Sequence, residues 1–426
     1  MHEWDWSATQ EPIQTARDAF PTRDELFTRW TTALGLLDEV AHNALVNPYQ
    51  LSRGTPRYYQ DAAINRAIVA ALQAKRGLRA PRILLTLATG TGKTKVAFQI
   101  VWKLKRARAI RNVLFLTDRD WLLSQAMDNE FSPFGDARLR VQGEAATSRD
   151  IVFATYQAIA SDEVRRGLYR EYPANFFDLV VVDECHRGSA GDESNWRSIL
   201  EHFSGAVQIG LTATPLRTDN VQTYSYFGDP VYTYSLRAGI NDGFLAPYRV
   251  RRILMGSVVE QSANVPDGDG ATQETVTSHG GASAADTSET AGTLIERTPV
   301  IARHLAEYLR KTDPLAKTIV FCVDQAHARQ MRDALKAELA DEVARYPDYI
   351  ERIVADEGME GKRSLGRFSN PRERTPAVVT TSKLLTTGVD VPTCKNIVLA
   401  KPITSMVEFK QIIGRGTRLH PPDKMW

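Results

Sequence analysis

The chain has 426 residues, 43% of them apolar and 24% charged, and its 53 Lys and Arg nearly balance 51 Asp and Glu. That length exceeds what one hydrophobic core organises, so two or more domains are expected. A formal charge of +2 leaves no basic tail to hold nucleic acid, so any such partner must be held by local patches. No apolar run approaches the ~20 residues that span a bilayer. The first residues, MHEWDWSATQ, lack the basic start and apolar core of a signal peptide, so a cytoplasmic protein without a membrane partner is expected. Cys185, Cys322 and Cys394 lie far apart with no CxxC spacing, which argues against a disulfide framework or a zinc knuckle.

In chain order, residues 1–50 predict a short helical N-terminal segment. In FPTRDELFTRW, Thr22 and Glu25 form a capping box, with Phe20 placed as a hydrophobic staple. Trp4, Trp6 and Trp30 are read as packing residues. From 51 to 236, the apolar runs RILLTLA, NVLFLTD, IVFATY, DLVVVDE and AVQIGLTA alternate with helix-like stretches. Strands that are apolar throughout and alternate with helices predict a parallel sheet covered on both faces. A second block, 237–426, repeats the pattern with TIVFCVD, AVVTTS and NIVLAKP, so the fold class is α/β with two similar lobes. Residues 256–293 contain no Lys, Arg or aromatic residue and are rich in Ser, Gly, Ala, Thr and acids, which predicts a flexible insertion or long surface loop.

The stretch RILLTLATGTGKTKVAFQI places a buried strand (83–87) before a tight turn and a helix. Backbone N–H groups of the turn Thr89, Gly90, Thr91, Gly92, Lys93 and Thr94 can then surround a phosphate at the helix N-terminus. Lys93 would neutralise the β- and γ-phosphates, and the Thr94 hydroxyl would hold Mg²⁺. The usual first glycine of this pattern is Leu87 here. A nucleotide hydrolase also needs a strand-end carboxylate for Mg²⁺ and a base to orient water, and Asp183 and Glu184 in VVVDECHRG fit those two jobs. Zinc at Cys185 and His186 would need two further ligands at suitable spacing, and none are found. A Cys185–His186 nucleophilic pair fails because adjacent strand-end residues point in opposite directions. His186 is read as coupling the nucleotide site to the second lobe.

The order of these motifs resembles superfamily 2 helicases and translocases, and most closely the motor region of the R subunit of type I restriction enzymes. PRYYQ (56–60) resembles the adenine-reading element, ATGTGKT motif I, FLTDRDWLLSQ (115–125) motif Ia and ATYQ (154–157) motif Ib. DECH resembles motif II, TATP (212–215) motif III, IVFCVD (319–324) motif IV, TTSKLLTTGVDVP (380–392) motif V and QIIGRGTR (411–418) motif VI.

The resemblance implies two RecA-like lobes, ATP and Mg²⁺, and movement along double-stranded DNA as ATP closes the lobes and hydrolysis opens them. Tyr58 and Gln60 would read the adenine, and Gly388 and Asp390 would sit between the nucleotide and the strand-binding surface, with Asp390 near the ribose or the arginine fingers. Arg415 and Arg418 would be arginine fingers, grouped with Gln411 at the start of motif VI. Arg119, Thr155 and Thr381 would contact DNA phosphates without reading sequence. The basic run KLKRARAIR (103–111) is read instead as the solvated end of a helix, where cations suit the dipole. Implied partners are DNA and the methyltransferase and specificity subunits of a restriction complex. A strand-separating DNA-repair helicase and a nucleotide-gated DNA clamp are the alternatives. Pro347, Asp348, Glu360 and Lys362 match a nuclease pattern formally, but no apolar strand presents Glu360 and Lys362 together, so no nuclease is expected in this chain.

Overall fold

The computed structural model describes residues 2–5, 13–16, 20–52, 54–145, 147–160, 167–185, 192–213, 221–255, 272–278, 295–354, 358–382, 391, 393–403 and 405–419. The chain divides into two compact units. Unit 1 is Met1–Leu87 with Gly92–Tyr234, and unit 2 is Ala88–Thr91 with Ser235–Trp426. Among the described residues, no helix is long and apolar enough to cross a membrane.

Unit 1 begins with two short strands, β1 (His2–Asp5) and β2 (Ile13–Ala16), paired antiparallel. The N-terminal segment is therefore not purely helical: four-residue strands are too short to leave a readable alternation. The expected helix follows at Arg23–Ala33 with its capping box intact, the Thr22 hydroxyl accepting from Glu25 N–H and the Glu25 carboxylate from Thr22 N–H. Phe20 is 78% exposed, so it closes no staple.

The sheet of unit 1 has seven strands: β3 (Arg82–Leu87), β4 (Val113–Thr117), β5 (Arg138–Arg140), β6 (Ile151–Thr155), β7 (Leu179–Asp183), β8 (Val207–Thr212) and β9 (Tyr232–Tyr234). Their order is β5-β6-β4-β7-β8-β3-β9, and every pairing is parallel. β4, β6, β7 and β8 are buried at every position, which requires cover on both faces and explains why each reads as an unbroken apolar run. In such a sheet the carboxyl ends of the strands share one edge, and function concentrates there.

Unit 2 contains a parallel sheet of four strands in the order β13-β14-β12-β15, and β10 (Arg249–Met255) pairs separately with β11 (Thr272–Ser278). The four are β12 (Thr318–Cys322), β13 (Ile350–Arg352), β14 (Val378–Thr381) and β15 (Asn396–Ala400). Helices Thr298–Lys311 and Gln325–Glu338 bury Leu305, Leu309, Met331 and Leu335 in the core of this unit. β11 lies inside the segment expected to be loop. Its β-branched residues Thr272, Thr275, Val276 and Thr277 suit a strand despite the polar composition. The rest of 256–293 lies outside the described residues.

Candidate functional site

β3 delivers the chain into the turn that precedes helix Lys93–Arg106. Gly90 and Gly92 take φ values of +86° and +84°, a left-handed conformation that a side chain would strain. Gly92 is the N-cap, and no side chain caps the helix, so its first-turn N–H groups have no capping side chain and face the end of the turn. The buried Thr91 hydroxyl donates to Ala88 C=O at 2.6 Å and braces the loop. Thr94 is half-buried in the first helical turn.

The carboxylates stand at the end of β7. Asp183 is buried, and its Oδ1 accepts from Glu184 N–H at 3.0 Å. Glu184 has φ +53°, rare for a residue with a side chain. The Lys93 Nζ lies 3.3 Å from Glu184 Oε1, so the structure joins the turn to the acidic pair. Burial, and then the charge of Glu184, pushes the Asp183 carboxyl well above the ordinary carboxylate range, and Lys93 pulls it part of the way back. Two adjacent carboxylates with one ammonium form a site short of positive charge, which fits a divalent cation.

Cys185 has no chemical part in this site. It is buried in the apolar cluster of unit 1, burial pushes its thiol far up, and its C=O accepts from the Thr223 hydroxyl at 3.1 Å. Among the described residues, no three His, Cys, Asp or Glu groups come together as a metal cluster. His186 lies outside them.

Gln60 is 4% exposed, and its side-chain oxygen accepts from Arg57 N–H at 2.9 Å. A Cβ on Gly92 would fall 2.6 Å from Gln60 Nε2, so Gln60 lies against the turn. Tyr58 is 59% exposed beside it, edge-on to Tyr59 and Tyr234. Tyr59 is committed elsewhere, stacked on Tyr234 with centroids 4.0 Å apart.

Arg119 and Thr155 occupy the same edge of the sheet as Asp183. β4 lies between β6 and β7, with Thr117 paired to Thr155 and Leu116 to Val182. Arg119 begins helix Asp120–Gln125, with Nε 3.6 Å from Asp118 Oδ2. The Thr155 oxygen caps a short helix by accepting from Ala158 N–H at 3.2 Å. Sequence reasoning missed Tyr156, which is buried and whose hydroxyl donates to Asp183 C=O at 3.4 Å. A tyrosine after a strand end carries no signal that separates this contact from ordinary packing.

In the basic run 103–111, Lys103 Nζ donates to Leu45 C=O at 3.0 Å and Lys105 Nζ to Arg111 C=O at 2.6 Å and Asp150 at 2.9 Å, while Arg106, Arg108 and Arg111 are exposed. Thr381, expected to touch DNA, is fully buried at the end of β14. Its hydroxyl oxygen is buried without a hydrogen-bond partner among the described residues. Gly388 and Asp390 lie outside the described residues.

Gln411 and Arg415 are buried on and just after helix Met406–Ile413, and burial pushes Arg418 down to about 10, still charged at neutral pH. Inside unit 2, a Cβ on Gly414 would fall 2.6 Å from Thr89 Cβ, and one on Gly90 would fall 3.6 Å from Arg418 Cγ. Of the nuclease-like set, Asp348 pairs with Arg367 of helix Gly358–Ser369, which also carries Lys362 and the exposed Glu360.

Residues 53–217 match the family described as "Type III restriction enzyme, res subunit". The chain is 42% identical over 416 residues to the Type I restriction enzyme EcoAI endonuclease subunit of Escherichia coli, covering 97% of this chain and 50% of that one. It is 32% identical over 422 residues to the EcoKI endonuclease subunit of Escherichia coli strain K12, covering 88% and 34%. This chain therefore spans half or less of the length of those relatives. Among solved structures it is similar to a fragment assigned as the HsdR subunit of a type I restriction enzyme from Vibrio vulnificus YJ016, with 46% identity and a TM-score of 0.79 over 99% of this chain and 71% of that one. With two parallel α/β units of RecA-like type and 42% identity to the EcoAI subunit over 97% of its length, the chain belongs to the HsdR (R-subunit) family of type I restriction enzymes.

Proposed function

We propose that this chain is an ATP-dependent DNA translocase motor, working in a restriction complex with methyltransferase and specificity subunits. The observation that carries the reading is the 3.3 Å contact of Lys93 with Glu184, at the mouth of a glycine turn that opens a helix without a side-chain cap. With no nucleotide, Lys93 and Glu184 hold each other. Arrival of the β- and γ-phosphates gives Lys93 a stronger anion, and its departure leaves Glu184 free to orient and deprotonate the attacking water. Asp183 and the Thr94 hydroxyl would hold Mg²⁺, which supplies charge neutralisation on the phosphate oxygens. Arg415 and Arg418 add positive charge as the transition state develops. Tyr58 offers a stacking face to the adenine, and Gln60 lies beside the turn.

Arg119 and Thr155 would contact the DNA backbone. Each adjoins a residue that acts on Asp183: Asp118, whose charge helps raise the Asp183 carboxyl, precedes Arg119, and Tyr156, whose hydroxyl donates to Asp183 C=O, follows Thr155. Tyr156→Phe removes only the hydroxyl that reaches Asp183 C=O. Basal ATP turnover should stay within about twofold while stimulation by DNA drops severalfold, because one neutral hydrogen bond is worth only about 1 kcal/mol. Full stimulation in this variant would remove Tyr156 from the coupling route.

The reading itself is tested by steady-state ATP turnover of the purified chain with and without duplex DNA of mixed sequence. Turnover should rise several-fold with duplex of any sequence, and chelation of divalent cations should abolish it. Gly92→Ala should raise the half-saturating ATP concentration about tenfold or more, since a left-handed backbone costs about 1–2 kcal/mol for a residue with Cβ and the methyl would also displace Gln60. Unaltered ATP affinity in this variant would count against nucleotide binding at the turn.

A further inference from the structure

The one DNA-phosphate contact expected from sequence in unit 2, Thr381, is buried. A motor that steps along DNA needs an exposed hold on that unit, and β10 offers one. Its sequence RVRRILM carries three arginines in four positions and no acid. Arg249, Arg251 and Arg252 are all exposed. Alternation along a strand puts Arg249 and Arg251 on one face, about 6–7 Å apart, and Arg252 on the other.

The Arg251 guanidinium lies over the Tyr308 ring at 5.3 Å. Tyr308 sits on helix Thr298–Lys311, where His304 and Lys311 fall on the same face at spacings of four and three residues. Two acids enter this neighbourhood: Glu274 is the register partner of Arg251 on β11, and Glu307 is exposed on the helix. On the face that carries Arg249 and Arg251, these two and Lys311 outnumber them among the described residues, so that face is cationic.

We infer that β10, with Tyr308 and Lys311 beside it, is a second contact for the DNA backbone, holding phosphates without reading sequence. This rests on the DNA-motor reading above. Guanidinium groups match phosphate oxygens in a bidentate fork. The tyrosine ring holds the Arg251 guanidinium through a cation–π contact, so less side-chain freedom is lost when a phosphate binds. Arginines on both faces of one short strand suit a backbone that presents phosphates along a groove edge, and they carry no base information.

The test is the double variant Arg251→Gln/Arg252→Gln in the full chain, with Arg251→Lys/Arg252→Lys as the conservative control. Fluorescence anisotropy with labelled mixed-sequence duplex, over a series of salt concentrations, reads the contact directly, and DNA-free ATP turnover reads the integrity of the nucleotide site. The Gln variant should weaken duplex binding about tenfold and lower the salt slope by about 1 to 2, as expected for one or two lost phosphate contacts. DNA-free turnover should be unchanged, and the Lys control should recover most of the affinity. Duplex affinity and salt slope equal to those of the unsubstituted chain would overturn the inference, as would loss of binding to anionic vesicles or RNA with duplex binding untouched. Failure of the unsubstituted chain to hydrolyse ATP would defeat the motor reading instead, because the anisotropy measurement does not depend on turnover.

Discussion

Lys93→Ala should lower ATP turnover by about 10³-fold or more, with or without DNA, the scale seen when a preorganised charge on a transferring phosphoryl group is lost. Lys93 is the first residue of its helix, and its ammonium already reaches the acidic pair at 3.3 Å, so it needs only a change of rotamer to meet a phosphate at the turn. Lys93→Arg should not rescue turnover, because a planar guanidinium cannot occupy the space of a compact ammonium. In the nucleotide-free protein the alanine also leaves Glu184 beside Asp183 without their shared cation. Thermal unfolding measured alongside turnover separates that effect from lost chemistry. Near-normal turnover with an intact fold would refute the role given to the turn.

Glu184→Gln should keep ATP binding and lose hydrolysis, by about 10²- to 10⁴-fold, the usual worth of a positioned general base. The amide has the shape of the carboxylate, so the left-handed backbone at this position need not change. Removing the Glu184 charge also removes the second-largest cause of the raised Asp183 carboxyl. Asp183 should then ionise more readily and hold a divalent cation at least as well, so nucleotide affinity should be equal or tighter in the variant. Equilibrium binding of a fluorescent ATP analogue checks this. Parallel loss of binding and turnover would show that Glu184 holds the nucleotide rather than the water.

The sheets were legible in the sequence because their strands are buried on both faces, so VLFLT, IVFAT and LVVVD stand out against polar surroundings. The acidic pair and glycine turn were legible because residue type and spacing are nearly the whole of that chemistry. What escaped was set by three-dimensional placement. β1 and β2 are four residues each, and β11 is polar enough to pass for loop. Thr381 has the right residue type at the right motif position, yet its side chain is sealed in the end of a strand. Tyr156 reaches Asp183 only because β4 sets β6 one strand away from β7. Cys185, set aside from sequence alone as zinc ligand and nucleophile, lies buried among apolar neighbours.

The central claim is that ATP hydrolysis moves this chain along duplex DNA, and displacement of a triplex-forming strand tests it most directly. A labelled third strand is placed at increasing distances from the loading site on a linear duplex, in the presence of ATP, Mg²⁺ and the partner subunits that load the motor. The account predicts displacement after a lag that grows in proportion to distance, no separation of the duplex strands, and no displacement with Glu184→Gln. Released single strands would mark a strand-separating helicase, and ATP-dependent DNA binding with no displacement at any distance would mark a clamp; either result would contradict the account.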